Sequence, residues 1–136
     1  MAKVPAKWNL ETVDLGAHPK LSREDLRLLW IHDYYDGTLA GALVYRGKLR
    51  WYEYCGEANH ARRYLVFELS DAEIAEEEQW QALFVEHVGD HWTARDDAAG
   101  GTVKPVEEHA KFYGPYSKRK PQDYSGNRVL GWFEDP

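Results

Sequence analysis

The chain has 136 residues, enough for one domain, and a domain of about 150 residues buries about 68–70% of its unfolded surface. Hydrophobic residues make up 43% and charged residues 29%, a composition that excludes an intrinsically disordered protein. The net charge is −6, and residues 70–99 carry nine acidic residues and one basic residue. Nucleic acid is therefore an improbable partner, because binding to phosphates usually needs a basic face.

The chain has one cysteine, Cys55, so no internal disulfide can form. Its first 20 residues lack the continuous apolar core of a signal peptide. No apolar run approaches the roughly 18 residues of a membrane span. These features predict a reduced, cytoplasmic protein without a membrane segment.

The sequence of the N-terminal half predicts an arm followed by a β-meander. Residues 1–20 form the arm, with a short strand around residues 8–13, and Ser22 is expected to cap a single helical turn. Four strands are then predicted at 26–35, 38–45, 49–55 and 64–70. The pairs Asp36-Gly37 and Arg46-Gly47 predict tight hairpin turns, and residues 56–63 predict a polar loop.

One main helix is predicted over residues 71–88. Ser70 and Glu73 have the spacing of a capping box, and Gly89 is a natural helix stop. The apolar stripe of this helix comprises Ala72, Ile74, Trp80, Leu83, Phe84 and Val88.

Beyond that helix, residues 93–102 predict a flexible loop, 105–113 a short helix and 128–134 a last strand. The fold class is therefore α+β, as a single domain over residues 1–136. An antiparallel meander of four or five strands is packed by one helix, and the C-terminal segment is partly irregular.

Two-residue turns at both hairpins would place His32 beside Gly41, and Gly41 beside Tyr52. Because side chains alternate along a strand, these residues would share one sheet face with other aromatic side chains. The glycine would then be the floor of a hollow with ring walls, the usual composition of a small-ligand site. The residues of this predicted aromatic hollow are Trp30, His32, Tyr34, Gly41, Arg50, Tyr52 and Tyr54.

Two alternatives accompany this hypothesis. The glycine could be covered by a neighbouring ring for stability alone, or the aromatic C-terminal segment could bury the whole face. A three-residue loop at Arg46-Gly47-Lys48 would also turn every side chain of the third strand to the opposite face.

Other combinations of residues indicate catalysis less strongly. The same register places Asp33 and Glu53 on either side of Ala40, and paired carboxylates can serve as general acid and base, so a hydrolase using them with His32 is an alternative. His87 and His91 are four residues apart, but Gly89 is expected to end the helix between them. No catalytic residue, metal site or cofactor is therefore predicted.

The acidic helix is a second candidate contact surface. Glu76, Glu77 and Glu78 could dock on a basic partner, as in an inhibitor or immunity-type protein, although such a run is more often a solvated helix face. The preferred hypothesis is a small cytoplasmic, non-catalytic binding protein. It would recognise a small-molecule ligand or a protein partner through the aromatic sheet face.

Overall fold

In a computed structural model, residues 14–34, 37–91, 102–120 and 122–135 are described. They form an α+β fold with strands β1 (Leu26–Tyr34), β2 (Thr38–Tyr45), β3 (Lys48–Ala58), β4 (Ala61–Glu68) and β5 (Val129–Asp135), and with helices α1 (Asp71–His87) and α2 (Val106–Tyr116). Short 3-10 turns occupy Leu15–Ala17 and Arg23–Asp25. The predicted strand at 8–13, Asp36 of the first predicted turn and nearly all of the predicted loop 93–102 lie outside the described residues.

The sheet is antiparallel, with strand order β1-β2-β3-β4-β5, so each strand lies beside its neighbour in sequence. This arrangement confirms the predicted α+β meander, with α1 as its main helix. Among the described residues, no helix is both long enough and apolar enough to cross a membrane.

The predicted boundaries of α1 are confirmed by its caps. The Ser70 hydroxyl accepts a hydrogen bond from the backbone N–H of Glu73 at 3.1 Å, and the Glu73 carboxylate accepts from the backbone N–H of Ser70 at 2.8 Å. This reciprocal pair satisfies two N–H groups that have no partner inside the helix. At the other end, Gly89 has a φ of +140°, a backbone conformation that residues other than glycine rarely adopt.

The prediction of a polar loop at residues 56–63 is wrong. β3 continues to Ala58, which pairs with Ala61 at the start of β4, so only Asn59 and His60 form the turn. Both residues have positive φ, 54° and 65°, as the central positions of a tight hairpin require. Polarity at 56–63 therefore reflects a long, partly exposed hairpin.

The two hairpin registers differ in how well the sequence predicts them. Tyr45 pairs with Lys48 and Gly41 with Tyr52, which confirms the two-residue turn at Arg46-Gly47. The predicted pairing of His32 with Gly41 is wrong, because Ile31 occupies that position. The register of β1 shifts between Leu28 and Trp30 and again beyond Ile31, and each such irregularity changes the face to which the following side chains point.

Apolar side chains are buried on both faces of the sheet. The face beneath α1 holds Ala40, Ala42, Leu49, Trp51, Cys55, Leu65, Phe67 and Leu69. The opposite face holds Leu21, Leu26, Leu28, Leu43, Tyr52, Tyr64, Val66 and Phe133.

The N-terminal segment before β1 covers part of this second face. The backbone N–H of Leu21 donates to the carbonyl of Trp132 at 2.7 Å, and the N–H of Trp132 donates to the carbonyl of Pro19 at 3.1 Å. The Arg23 side chain then binds Asp135 at 3.3 Å. These contacts tie the chain entering β1 to β5, at the other edge of the sheet.

Candidate functional site

The structure does not bring the predicted aromatic hollow together. His32 lies on the helix side of the sheet, where its ring is 5.0 Å from that of Trp51. Trp30 packs against the same helix-side core. Tyr52 lies on the opposite side, with its ring 5.5 Å from that of Tyr64. The shifts in β1 separate these residues, since they carry Trp30 and His32 to the other face from Tyr52.

The space over Gly41 is occupied by protein. A Cβ atom at this position would lie 2.6 Å from the Tyr52 hydroxyl oxygen and would overlap the carbonyl oxygen of Trp30. Tyr52 itself is 1% exposed. The glycine is therefore needed for close packing, as in the first alternative considered from the sequence.

The other residues of the predicted hollow are dispersed. Tyr34, near the end of β1, is 59% exposed. Arg50 is buried and donates to the carbonyl of Tyr45 at 3.2 Å. The Tyr54 ring lies 6.1 Å from that of Tyr64, with the Arg62 guanidinium 4.5 Å above it.

His32 and Trp30 line a different site, a cleft between β1, α1 and α2 that we term the His32 cleft. Its inner cavity has a volume of about 110 Å³. An outer cavity of about 290 Å³ shares His32, Tyr116 and Gln122 with the inner one. The remaining lining residues of the inner cavity include Trp30, Glu77, Trp80, Gln81, Phe84, Phe112 and Tyr113, and those of the outer cavity include Asp33, Ser117, Arg119 and Lys120.

Aromatic contacts between the two helices build the inner wall. Trp80 and Phe84 are four residues apart on α1, and Phe112 and Tyr116 are four apart on α2, so each pair shares one helix face. The Phe112 ring stacks on Tyr116 with centroids 4.9 Å apart and meets Phe84 edge-on at 5.2 Å. Trp80 meets Tyr116 edge-on at 5.3 Å. Such mutually packed rings form an apolar wall.

A buried ion pair lies at the base of the cleft. Glu77 is 2% exposed, and its carboxylate accepts hydrogen bonds from Arg119 at 2.5 Å, from the Tyr124 hydroxyl at 2.7 Å and from the Gln122 amide at 3.2 Å. A buried carboxylate is tolerated when several donors surround it in this way. Glu77 therefore anchors the C-terminal segment to α1 through three side chains.

This network changes the acidity of its members. Burial raises the pKa of Tyr124 well above its ordinary range, and its hydrogen bond to the Glu77 carboxylate raises that pKa further. Burial also raises the pKa of Tyr116. Burial alone would lower the pKa of Arg119, but the hydrogen bond and the charge of Glu77 outweigh burial and raise it. Both phenols thus stay neutral and the guanidinium stays charged at physiological pH.

His32 is held at the junction of the two cavities. Its Nε2 lies 3.4 Å from the Tyr116 hydroxyl, and its Nδ1 lies 3.5 Å from the Gln122 amide nitrogen. A tautomer protonated on Nε2 satisfies both contacts, since the amide then donates to Nδ1. Both distances are long for hydrogen bonds, so these two contacts are weak, and the ring is also held by its packing against Trp51.

Two N–H donors along the cleft lack acceptors among the described residues. They are the side-chain amide nitrogen of Gln81 and the Nη1 of Arg119, both shielded from solvent. Gln81 lines the inner cavity and Arg119 the outer one. An unsatisfied buried donor costs about 1–3 kcal/mol, so each of these two atoms lowers the stability of the fold.

The predicted acidic partner face is divided by burial. Glu76 and Glu78 are exposed, whereas Glu77 points inward. Glu76 also contacts Arg119, with its carboxylate 3.5 Å from Nε. Two of the three glutamates are therefore placed where a partner could reach them.

The carboxylates considered for hydrolysis keep their predicted register, with Asp33 and Glu53 both paired to Ala40. Glu53 is 3% exposed and accepts a hydrogen bond from the Trp51 indole at 3.1 Å. Catalysis by this pair stays a prediction.

The two histidines near the end of α1 have separate surroundings. His87 lies 3.7 Å from Glu108 and 3.8 Å from Glu86, whereas the His91 ring packs on Phe84. In the described ranges, no group of three or more His, Cys, Asp or Glu side chains is arranged to hold a metal ion.

Sequence reasoning missed most of the cleft. Tyr116, Arg119, Gln122 and Tyr124 fall in a segment that the sequence predicts only as irregular. The last three share one partner, Glu77, which lies 42 to 47 residues earlier on α1. One signal was available, because Glu77 lies among the apolar residues of the α1 stripe and Arg119 lies in the densest basic run. Comparison of the chain with protein-family models, with curated proteins and with solved structures found no match, so the cleft itself carries the functional argument.

Proposed function

We propose that this chain is a non-catalytic, cytoplasmic binding protein that holds a small organic ligand in the His32 cleft. The observation that carries the proposal is the inner cavity, which has ring walls and an unsatisfied amide donor at Gln81. Ligand sites typically combine apolar walls with a few polar groups that orient the ligand. An enclosed apolar cavity of about 150 Å³ accepts benzene, so the inner cavity, at about 110 Å³ and partly open to solvent, limits the buried part of a ligand to no more than a single ring.

The cleft retains part of the surface expected from the sequence, since Trp30 and His32 line it. Affinity would come from the rings, and orientation from His32, Gln81 and Gln122. The cytoplasmic assignment is supported by Cys55, a buried free thiol.

Two tyrosines provide a matched test. Tyr113 lines the inner cavity, whereas Tyr34 belongs to the originally predicted hollow and lies outside both cavities of the cleft. Both side chains are about half exposed, at 48% and 59%, so their replacement by alanine should leave the fold intact.

Phenol and indole are suitable probes, and two-dimensional NMR can follow their binding. We expect shifts of the Trp30 and Trp80 indole N–H signals, and weaker binding to Tyr113→Ala by about two- to tenfold. Tyr34→Ala should bind like the unmodified protein. Equal weakening by Tyr34→Ala, or shifts confined to residues around Tyr52, would contradict the proposed site.

A further inference from the structure

We infer that a second copy of this chain binds to the outward face of α2, with the two α2 helices antiparallel. Four large hydrophobic side chains are exposed among the described residues, and three of them, Val103, Val106 and Tyr113, lie in α2 or just before it. The fourth is Tyr34 on β1. Exposed apolar side chains that cluster on one element typically mark an interaction surface, whereas scattered ones do not.

The exposed apolar residues of α2 follow the helix repeat. Val106 and Tyr113 are seven residues apart and are 77% and 48% exposed. Ala110 lies between them on the same side of the helix and is also exposed. At Gly114, one turn beyond Ala110, an added Cβ would meet nothing within 4 Å, so a neighbouring helix has room to approach. Phe112 is buried on the other side of α2, against α1.

The apolar part of this outward face is complementary to itself when two helices are antiparallel. Val106 and Tyr113 are placed symmetrically about residues 109–110. In a twofold-symmetric pair, residue i contacts residue j of the second copy and j contacts i, so each Val106 would meet the Tyr113 of the second copy. The two Ala110 side chains would meet between these contacts, near the symmetry axis.

The charged part of the face requires the same alignment. Glu107 and Lys111 lie beside the apolar residues and are symmetrical about the same turn of α2, so each carboxylate would meet the ammonium group of the second copy. Both residues are exposed, and Lys111 also contacts Glu108 of its own helix at 3.0 Å. Because the apolar and the charged contacts agree on one alignment, the face fits a second copy better than an unrelated partner.

The dimer should be weak. α2 has 11 residues and is therefore about 16 Å long, and a helix contact of this length buries less than the roughly 800 Å² per partner of a stable interface. Each copy also carries a net charge of −6, which opposes association but is largely screened beyond about 8 Å at physiological ionic strength. We therefore expect a dissociation constant between about 10 μM and about 1 mM.

Charge reversals at the expected ion pair test the inference, with sedimentation equilibrium as the measurement. Glu107→Lys alone places two lysines opposite each other, and Lys111→Glu alone places two glutamates opposite each other, so each should weaken dimerisation by about three- to tenfold. The double variant restores opposite charges and should dimerise within about twofold of the unmodified chain. Val106→Asp should weaken dimerisation by more than about tenfold, because it places a charge in the apolar contact.

Lys48→Glu is the matched control. Lys48 is exposed at the start of β3, so this variant changes the net charge as Lys111→Glu does, but away from α2. Its dissociation constant should equal that of the unmodified chain. A monomer at about 1 mM would overturn the inference. So would a double variant that dimerises no better than the single variants, or a dimer that Val106→Asp leaves unchanged.

Discussion

Replacement of Glu77 by leucine should strongly destabilise the protein, although glutamate in the middle of a helix is ordinarily replaceable. The substitution removes the shared acceptor of Arg119, Gln122 and Tyr124. The Arg119 side chain, 7% exposed, would keep its charge without its closest counter-ion. Removing one partner of a buried ion pair costs about 3–5 kcal/mol, because the other charge stays buried.

The costs of the individual lost hydrogen bonds add up to a similar loss in the free energy of unfolding. A buried donor left without an acceptor costs about 1–3 kcal/mol, and a charged donor costs more. Arg119 and the Tyr124 hydroxyl are both buried donors of this kind, and Glu76 compensates Arg119 only in part from 3.5 Å. For a chain of this length, a loss of 3–5 kcal/mol lowers the melting temperature by roughly 12–20 °C.

Urea unfolding followed by circular dichroism measures this effect, and Glu78→Leu is the matched control. Glu78 is the next residue of α1 and is exposed, so the same substitution there should change stability by no more than about 0.5 kcal/mol. The double variant Glu77→Leu, Arg119→Met should recover most of the loss, because no charge then stays unpaired. Equal unfolding midpoints for Glu77→Leu and Glu78→Leu would refute the argument.

Three further variants test other parts of the structure. Gly41→Ala should lower the free energy of unfolding by about 1–3 kcal/mol, because the added Cβ would lie 2.6 Å from the Tyr52 hydroxyl. An unchanged midpoint of urea unfolding would contradict the close packing at this glycine. Gln81→Met should raise the melting temperature, since it removes an unsatisfied buried N–H worth about 1 kcal/mol or more, and a lower value would show that the amide is satisfied. The raised pKa of Tyr124 means that the neutral phenol stabilises the fold fully below about pH 10, the pKa of an unfolded tyrosine, and that this contribution is lost as the pH rises towards the folded value. Tyr124→Phe should therefore reduce the stability lost between about pH 9 and pH 11 by about 1 kcal/mol, measured by urea unfolding at both pH values, whereas an unchanged loss would exclude this origin.

Local signals predicted those features that depend on neighbouring residues. The capping box at Ser70 and Glu73, together with Gly89, sets both ends of α1, because each satisfies backbone groups within one helical turn. The pair Arg46-Gly47 sets the β2–β3 register, because both residues adopt the positive φ that a two-residue turn needs.

Contacts between distant segments determined the rest. The irregularities in β1 carry His32 to the helix side of the sheet. No turn residue in the sequence predicts them, because they depend on how β1 pairs with the neighbouring strand. Composition, periodicity, and the turn and capping signals together predicted an aromatic-rich α+β meander. Only the packing of the C-terminal segment against α1 paired Glu77 with Arg119 and formed the His32 cleft, since burying a charge is favourable only where distant donors converge on it.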